Sequence, residues 1–178
     1  MLLKKLKKDK AKIYLIELKD STNIKAKKNC FLKDILYKYY HINIDKEKIE
    51  YTSFGKPNLK SICFNCSDTS KYIAIIIGNK DVGIDIENNR KIDKIMTSKI
   101  LDEKEMKEKI DNLYLLSHWV GKEAYVKYKG TGIISDFNSF NLKDKLKKHN
   151  HFIKKENNFI LYAFAEEKID KNIVYVIE

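Results

Sequence analysis

Arginine is nearly absent from this chain. Of its 36 basic residues only Arg90 is an arginine. Arginine supplies the planar fork that reads guanine edges and grips phosphate bidentately, so specific recognition of nucleic acid is not expected. Proline also occurs once, at Pro57, and the six glycines form no Gly/Ser/Pro-rich linker. The three cysteines, Cys30, Cys63 and Cys66, are too few for a disulfide framework. Cys63 and Cys66 form a C-x-x-C pair, but no second pair exists and CFNCS reads as strand. Free structural thiols in a reducing cytoplasm are therefore expected, rather than zinc or redox chemistry. The longest apolar run, Ile73 to Ile77, is far short of the ~20 residues of a membrane helix. The start, MLLKKLKKDK, carries charge without an apolar stretch, so neither a secretory signal nor a membrane partner is expected.

What is present is enough for a core. The chain has 178 residues, 43% hydrophobic and 34% charged, with a formal net charge of +11. That length allows one generous domain or two small lobes. The lysine surplus permits a sequence-tolerant positive surface, or steering toward an acidic protein or an anionic small molecule. It is equally the composition left by mutational bias in an AT-rich genome.

Periodicity predicts a strand over Ile13–Leu18 and an amphipathic helix over Asn29–Tyr40, where Phe31, Leu32, Ile35, Leu36 and Tyr39 share a face. Gly55-Lys56-Pro57 reads as a turn. Ser61–Asn65, Lys71–Gly78 and Val82–Glu87 read as a meander of strands. Asp102-x-x-Glu105 has the form of a capping box, from which two helices are expected up to Gly130, the second over Leu113–Tyr128. Strands are predicted at Phe137–Leu142, His151–Lys155, Phe159–Glu166 and Ile173–Ile177, with Asn157-Asn158 as a hairpin turn. This order describes two α+β halves with a seam near residues 79–82.

Two segments carry chemistry. Along Val82-Gly83-Ile84-Asp85-Ile86-Glu87 the apolar residues point one way and Gly83, Asp85 and Glu87 the other. A half-buried strand with a wet face would read the same. Alternatively, two carboxylates ~7 Å apart on one face can bind a hard divalent cation, with Gly83 leaving room for a ligand. In the helix, Trp119, Glu123 and Lys127 recur at i, i+4 and i+8, which is either a surface Glu–Lys pair beside a core tryptophan or a functional face. Gly130-x-Gly132 then ends the helix where a substrate could approach backbone.

VGIDIE followed by WVGKEAYVKYKGTGI resembles the paired signature of the 4′-phosphopantetheinyl transferases, roughly G-[IV]-D-[IV]-E and then W-x-x-K-E-A/S-x-x-K-x-x-G-x-G. Phe54-Gly55-Lys56-Pro57 is similar to the family's G-K-P turn and Phe64-Asn65-Cys66-Ser67 to its F-N-x-S strand end. Recognisable motifs span about residues 54 to 142, counting Ser139-Phe140 where the family has a strand. With residues 1–81 ahead of the G-I-D-I strand, the chain resembles the two-lobed, surfactin-synthetase-activating type rather than the small trimeric one.

The resemblance implies an α+β fold: a pseudo-two-fold pair of similar lobes with antiparallel sheets, residues 1–80 taking the nucleotide end of coenzyme A and 81–178 the metal and the carrier. It implies a monomer that transfers 4′-phosphopantetheine from coenzyme A to a serine of an acidic apo carrier protein, acyl, peptidyl or polyketide, releasing 3′,5′-ADP. Asp85, Glu87 and Glu123 are then the Mg²⁺ ligands. Glu123, directly or through water, is the expected base. Lys127 stabilises developing charge, and Lys122 has a supporting catalytic role. Gly55, Lys56, Pro57, Ser67 and Lys127 are the expected coenzyme A contacts, with Lys28 among the basic residues Lys25, Lys27 and Lys28 before the first helix. Trp119 is expected beneath the site, and His118 has no assigned role. Carrier docking is expected near Tyr125 or the turn from Gly130 to Ile134. Asp68 departs from the pattern, because relatives commonly carry histidine there and an anion would repel phosphate. A catalytically weak or repurposed relative, or a basic module stacking RNA or single strands on lysine and tyrosine, are the alternatives.

Overall fold

The computed structural model describes residues 10–132 and 137–178. Two sheets pack against one another between helices. The chain enters β1 (Lys12–Glu17), then α1 (Ile24–Tyr40), the short hairpin arms β2 (Glu50–Tyr51) and β3 (Pro57–Leu59), and the strands β4 (Ile62–Asp68), β5 (Tyr72–Gly78) and β6 (Val82–Asn88). A 3-10 turn at Lys94–Met96 leads into α2 (Thr97–Ile100) and a second one follows at Glu105–Lys107. The long helix α3 (Asn112–Lys129) comes next, then α4 (Leu142–Lys148), β7 (Asn150–Lys155), β8 (Phe159–Ala165) and β9 (Val174–Ile177). The first sheet has the order β2-β3-β4-β5-β1-β9 and the second β6-β8-β7. All pairings are antiparallel except β1 with β9. Among the described residues no helix is long and apolar enough to cross a membrane.

Period-2 alternation explains the layers. In β5, Ile73, Ile75 and Ile77 pack with Tyr14, Ile16 and the α1 residues Leu32, Ile35 and Leu36. The intervening Tyr72, Ala74 and Ile76 pack with Val82, Ile84 and Ile86 of β6 and Leu161, Ala163 and Ala165 of β8. The chain's longest apolar run is thus a strand covered on both faces, which is why it lacks polar alternation. On the far side of the second sheet, Ile160, Tyr162 and Phe164 meet Leu116, Val120, Ala124 and Tyr128 of α3. The layers are therefore α1, first sheet, second sheet, and α3.

Several expectations need correction. α1 begins at Ile24 rather than Asn29; its lysine-rich first turn carries no apolar period, and only Ile24 packs against the core. The capping box forms as read: Glu105 N–H donates to Asp102 Oδ1 at 2.7 Å and Asp102 N–H to Glu105 Oε2 at 3.0 Å. It heads only a 3-10 turn. The strand expected at Phe137–Leu142 is instead a 3-10 turn, Phe137–Ser139, running toward α4. The carbonyls of Phe137 and Phe140 are bound by the Lys122 amine instead of a ladder partner. α4, LKDKLKK, is too short and charged to show a helical period. β9 leaves the second half of the chain and completes the first sheet beside β1. β4 runs on past Asn65 to Asp68.

Candidate functional site

Glycine and asparagine let α3 and β4 approach the edge strand β6. A Cβ at Gly83 would lie 2.1 Å from the Tyr128 nitrogen and 2.5 Å from the Ala124 oxygen. The space expected there for a ligand is filled by the backbone of α3. On the other side, the Asn65 side chain accepts from Ile84 N–H at 3.0 Å, which satisfies an edge amide that would otherwise be buried unpaired. β6 is thereby held between β4 and α3, so polar side chains from three elements meet.

The meeting point is Asp85, 5% exposed. Its Oδ1 accepts from Ser67 Oγ of β4 at 2.7 Å and from Lys127 Nζ of α3 at 2.7 Å, and Lys127 Nζ also lies 3.3 Å from Ser67 Oγ. Burial pushes the Asp85 carboxyl above the usual range, and the Lys127 ammonium pulls it back. Glu123, one turn before Lys127, is also buried. Its carboxyl is raised by burial and then by repulsion from Asp85 and Glu87, with Lys127 opposing. The three carboxylates expected to act together thus feel one another's charge. Glu87 lies at the half-buried end of β6, where Arg90 pairs with it at 3.3 Å.

Of these groups Glu123 and Lys127 line a cleft of about 200 Å³, together with Phe54, Gly55, Lys56, Pro57, Asn65, Val126, Gly130 and Gly132. The turn at Gly55 has φ +79°, where an L side chain is strained. It presents Lys56 and Pro57 against the end of α3. There Lys56 Nζ donates to Tyr128 O and to Asp81 Oδ1, both at 2.9 Å. It caps a carbonyl that the helix end leaves unpaired, so its aliphatic stem rather than its amine walls the cleft beside Gly130.

The candidates thus divide. Ser67, Asp85, Glu123 and Lys127 come together, with Gly55, Lys56 and Pro57 on the cleft wall, while Glu87 pairs with Arg90 at the end of β6. Lys28 stands on α1 and pairs with Asp68. The anion that seemed out of place is neutralised there by a neighbouring lysine. Lys122 does not join the cluster. It sits about 100° round the helix from Glu123, is wholly buried, and bonds Glu105 Oε2 at 2.5 Å. Trp119 packs edge-on to Phe137 at 5.2 Å. Tyr125 is buried against Phe140 and Phe164 and offers no docking patch, while Ile133 and Ile134 lie outside the described residues. Burial raises the Cys66 thiol to about 12, consistent with an inert structural cysteine. Asn65, Asp81, Glu105 and Arg90 were missed as partners. Asn65 had a visible signal, a polar residue amid the apolar positions of β4, whereas the others act through tertiary contacts.

Residues 81–176, which hold β6 and α3, match the sequence model of the 4′-phosphopantetheinyl transferase superfamily. The chain belongs to that family. It is 32% identical over 130 residues to 4′-phosphopantetheinyl transferase gsp of Aneurinibacillus migulanus, covering 66% of this chain and 55% of that one. It is 25% identical over 118 residues to 4′-phosphopantetheinyl transferase psf-1 of Bacillus pumilus, covering 61% and 51%. The chain spans about half the length of the curated relatives it matches.

A divalent cation here is what the sequence resemblance implies. Among the described residues no group of three or more His, Cys, Asp and Glu side chains is arranged to hold a metal. The donors nonetheless fit in kind. Asp85, Glu87 and Glu123 would offer a cation hard carboxylate oxygens, and an ammonium, Lys127, already sits on Asp85.

Proposed function

We propose that this protein transfers 4′-phosphopantetheine from coenzyme A to a serine of an apo carrier protein, acyl or peptidyl, releasing 3′,5′-ADP. The observation that carries this reading is the convergence of Ser67, Asp85 and Lys127, with Lys127 and Glu123 lining a cleft walled by the Gly55-Lys56-Pro57 turn.

In the reaction the carrier serine oxygen forms a bond to the phosphorus bearing the pantetheine arm. The bond from that phosphorus to the bridging oxygen of the pyrophosphate breaks, and the electron pair leaves on 3′,5′-ADP. Such transfers depend on positioning and charge stabilisation more than on covalent help. Glu123, whose carboxyl is raised by burial, accepts the serine proton. Lys127 is within reach of the same carboxylates and of Ser67, so it is placed to stabilise charge on the phosphate oxygens. Ser67, with the stem of Lys56, orients the pyrophosphate arm. Mg²⁺ held by Asp85, Glu87 and Glu123 would neutralise pyrophosphate charge.

We take the two sheets as the two lobes of the pseudo-two-fold type, with β9 returning to the first. In this reading the protein works as a monomer in the cytoplasm, and its lysine surface draws in an acidic carrier with an on-rate that falls as salt rises. The test is incubation with coenzyme A, Mg²⁺ and a panel of apo acyl, peptidyl and polyketide carriers, followed by intact mass. One phosphopantetheine should be gained, and the gain should vanish with EDTA or in Glu123→Ala. No modification of any carrier type would end this reading.

A further inference from the structure

Lysine is among the residues least often buried without a partner, yet Lys122 is 0% exposed in the middle of α3. Its amine meets four acceptors: Glu105 Oε2 at 2.5 Å, Phe140 O at 2.7 Å, Ile100 O at 2.8 Å and Phe137 O at 2.9 Å. An ammonium has only three N–H donors, so one bond is shared, and a neutral amine would leave more of these oxygens unpaired. Glu105, 2% exposed, extends the network. Its Oε1 accepts from Leu142 N–H at 2.6 Å and its Oε2 from Asp102 N–H at 3.0 Å. One buried ion pair therefore ties α3 to two segments, 100–105 and 137–142, that share no ladder with it.

Those ties bear on the cleft. Gly130 and Gly132 wall it at the end of α3. Gly130 is fixed by its bond to Val126 O at 2.9 Å. Phe137 O accepts from Lys122 Nζ at 2.9 Å. On the same helix the residue after Lys122 is Glu123. Rotation or sliding of α3 against the two segments would move Glu123 and Lys127 relative to Asp85.

We infer that Lys122 is a positioning residue for phosphopantetheine transfer, fixing the rotation of α3 through Glu105 and the Phe137 and Phe140 carbonyls. This deepens the transferase reading above and rests on it. It assigns the lysine next to Glu123 no contact with substrate. Ser67 on β4 and the Gly55-Lys56-Pro57 turn entering β3 stand outside α3 and keep their place without Lys122, so coenzyme A affinity should survive its loss while turnover should not.

The experiment compares wild type, Lys122→Met and the double variant Lys122→Met/Glu105→Met. The single variant strands a buried carboxylate and is expected to lose much of its thermal stability. The double variant replaces the pair with apolar side chains and should regain most of it. Coenzyme A binding is measured calorimetrically with Mg²⁺. Transfer is measured by intact mass at saturating coenzyme A, with an apo acyl carrier protein and an apo peptidyl carrier domain. In the folded double variant the coenzyme A Kd should stay within about threefold of wild type while kcat falls at least about tenfold. A double variant with wild-type kcat would reduce the pair to a stability feature, and a Kd that worsens in parallel with kcat would make Lys122 a ligand-holding residue. Either result overturns the inference. Wild type that modifies neither carrier removes the transferase reading itself, and this role with it.

Discussion

A single methyl group at Gly83 should separate the strand that carries Asp85 from the helix that carries Glu123 and Lys127. In Gly83→Ala the new Cβ would lie 2.1 Å from Tyr128 N and 2.5 Å from Ala124 O and Tyr128 Cα. All three atoms belong to helix backbone and cannot rotate away. Ordinary contact begins at about 3.5 Å, so α3 must retreat from β6 by roughly an ångström. Overpacking of this kind costs about 1–3 kcal/mol when side chains can yield, and more when they cannot. At about 2–4 °C per kcal/mol for a chain of this size, melting should fall by roughly 6–12 °C if the cost is about 3 kcal/mol. A misplacement of about 1 Å is also enough to lose about 10²-fold in rate, so transfer by the remaining folded protein should fall more than stability explains. Gly55→Ala is the control. Its Cβ meets nothing within 4 Å, but φ is +79°, so only backbone strain of about 1 kcal/mol is expected. Thermal melts and carrier mass assays on both variants decide the matter. Gly83→Ala with wild-type melting and turnover would refute close packing of α3 on β6 as the feature that assembles the site.

Three further outcomes follow from the same geometry. Lys127→Met should cut transfer at least about 10²-fold, because it removes the ammonium that bonds Asp85 and Ser67; retained single-turnover transfer would exclude a charge-stabilising role. Asp68→Asn frees Lys28 from its half-exposed pair and should lower the KM for coenzyme A while changing stability by less than about 1 kcal/mol. An unchanged KM would mean that Lys28 does not reach the ligand. Burial lowers the His118 pKa, against the raising effect of its bond to Tyr114 O and of Glu105. Because the folded state favours the neutral ring, the stability from this group is present above the ordinary value of about 6.5 and is lost as pH falls through the lowered one. The melting temperature should therefore fall on acidification below about pH 6.5. His149 is lowered as well, so His118→Phe should flatten only part of that fall, and superimposable pH profiles of the two proteins would refute the assignment.

Much of the site was legible because its spacing is local. Strict alternation in VGIDIE places Asp85 and Glu87 on one face, and a four-residue interval places Glu123 and Lys127 on another. Backbone geometry alone enforces both relations. The strands β5, β6 and β8 and the helix α3 were readable for the same reason. The expected strand at Phe137–Leu142 failed because apolar residues at its two ends gave no clue that a lysine from α3 would take its carbonyls. The capping box was read correctly as a local bond pattern. Its Glu105 was not recognised as half of a buried ion pair, since the partner lies 17 residues away in sequence.

The sequence by itself determined most of the strands, the carboxylate face, the lysine–glutamate helix and the family. Only the tertiary structure decided which lysine does what. Lys127 reaches Asp85, Lys56 caps α3, Lys28 neutralises Asp68 and Lys122 anchors two loops. Four chemically identical side chains took four different tasks, because a lysine's role follows from the acceptors that packing brings within about 3 Å of its amine, and periodicity carries no information about those.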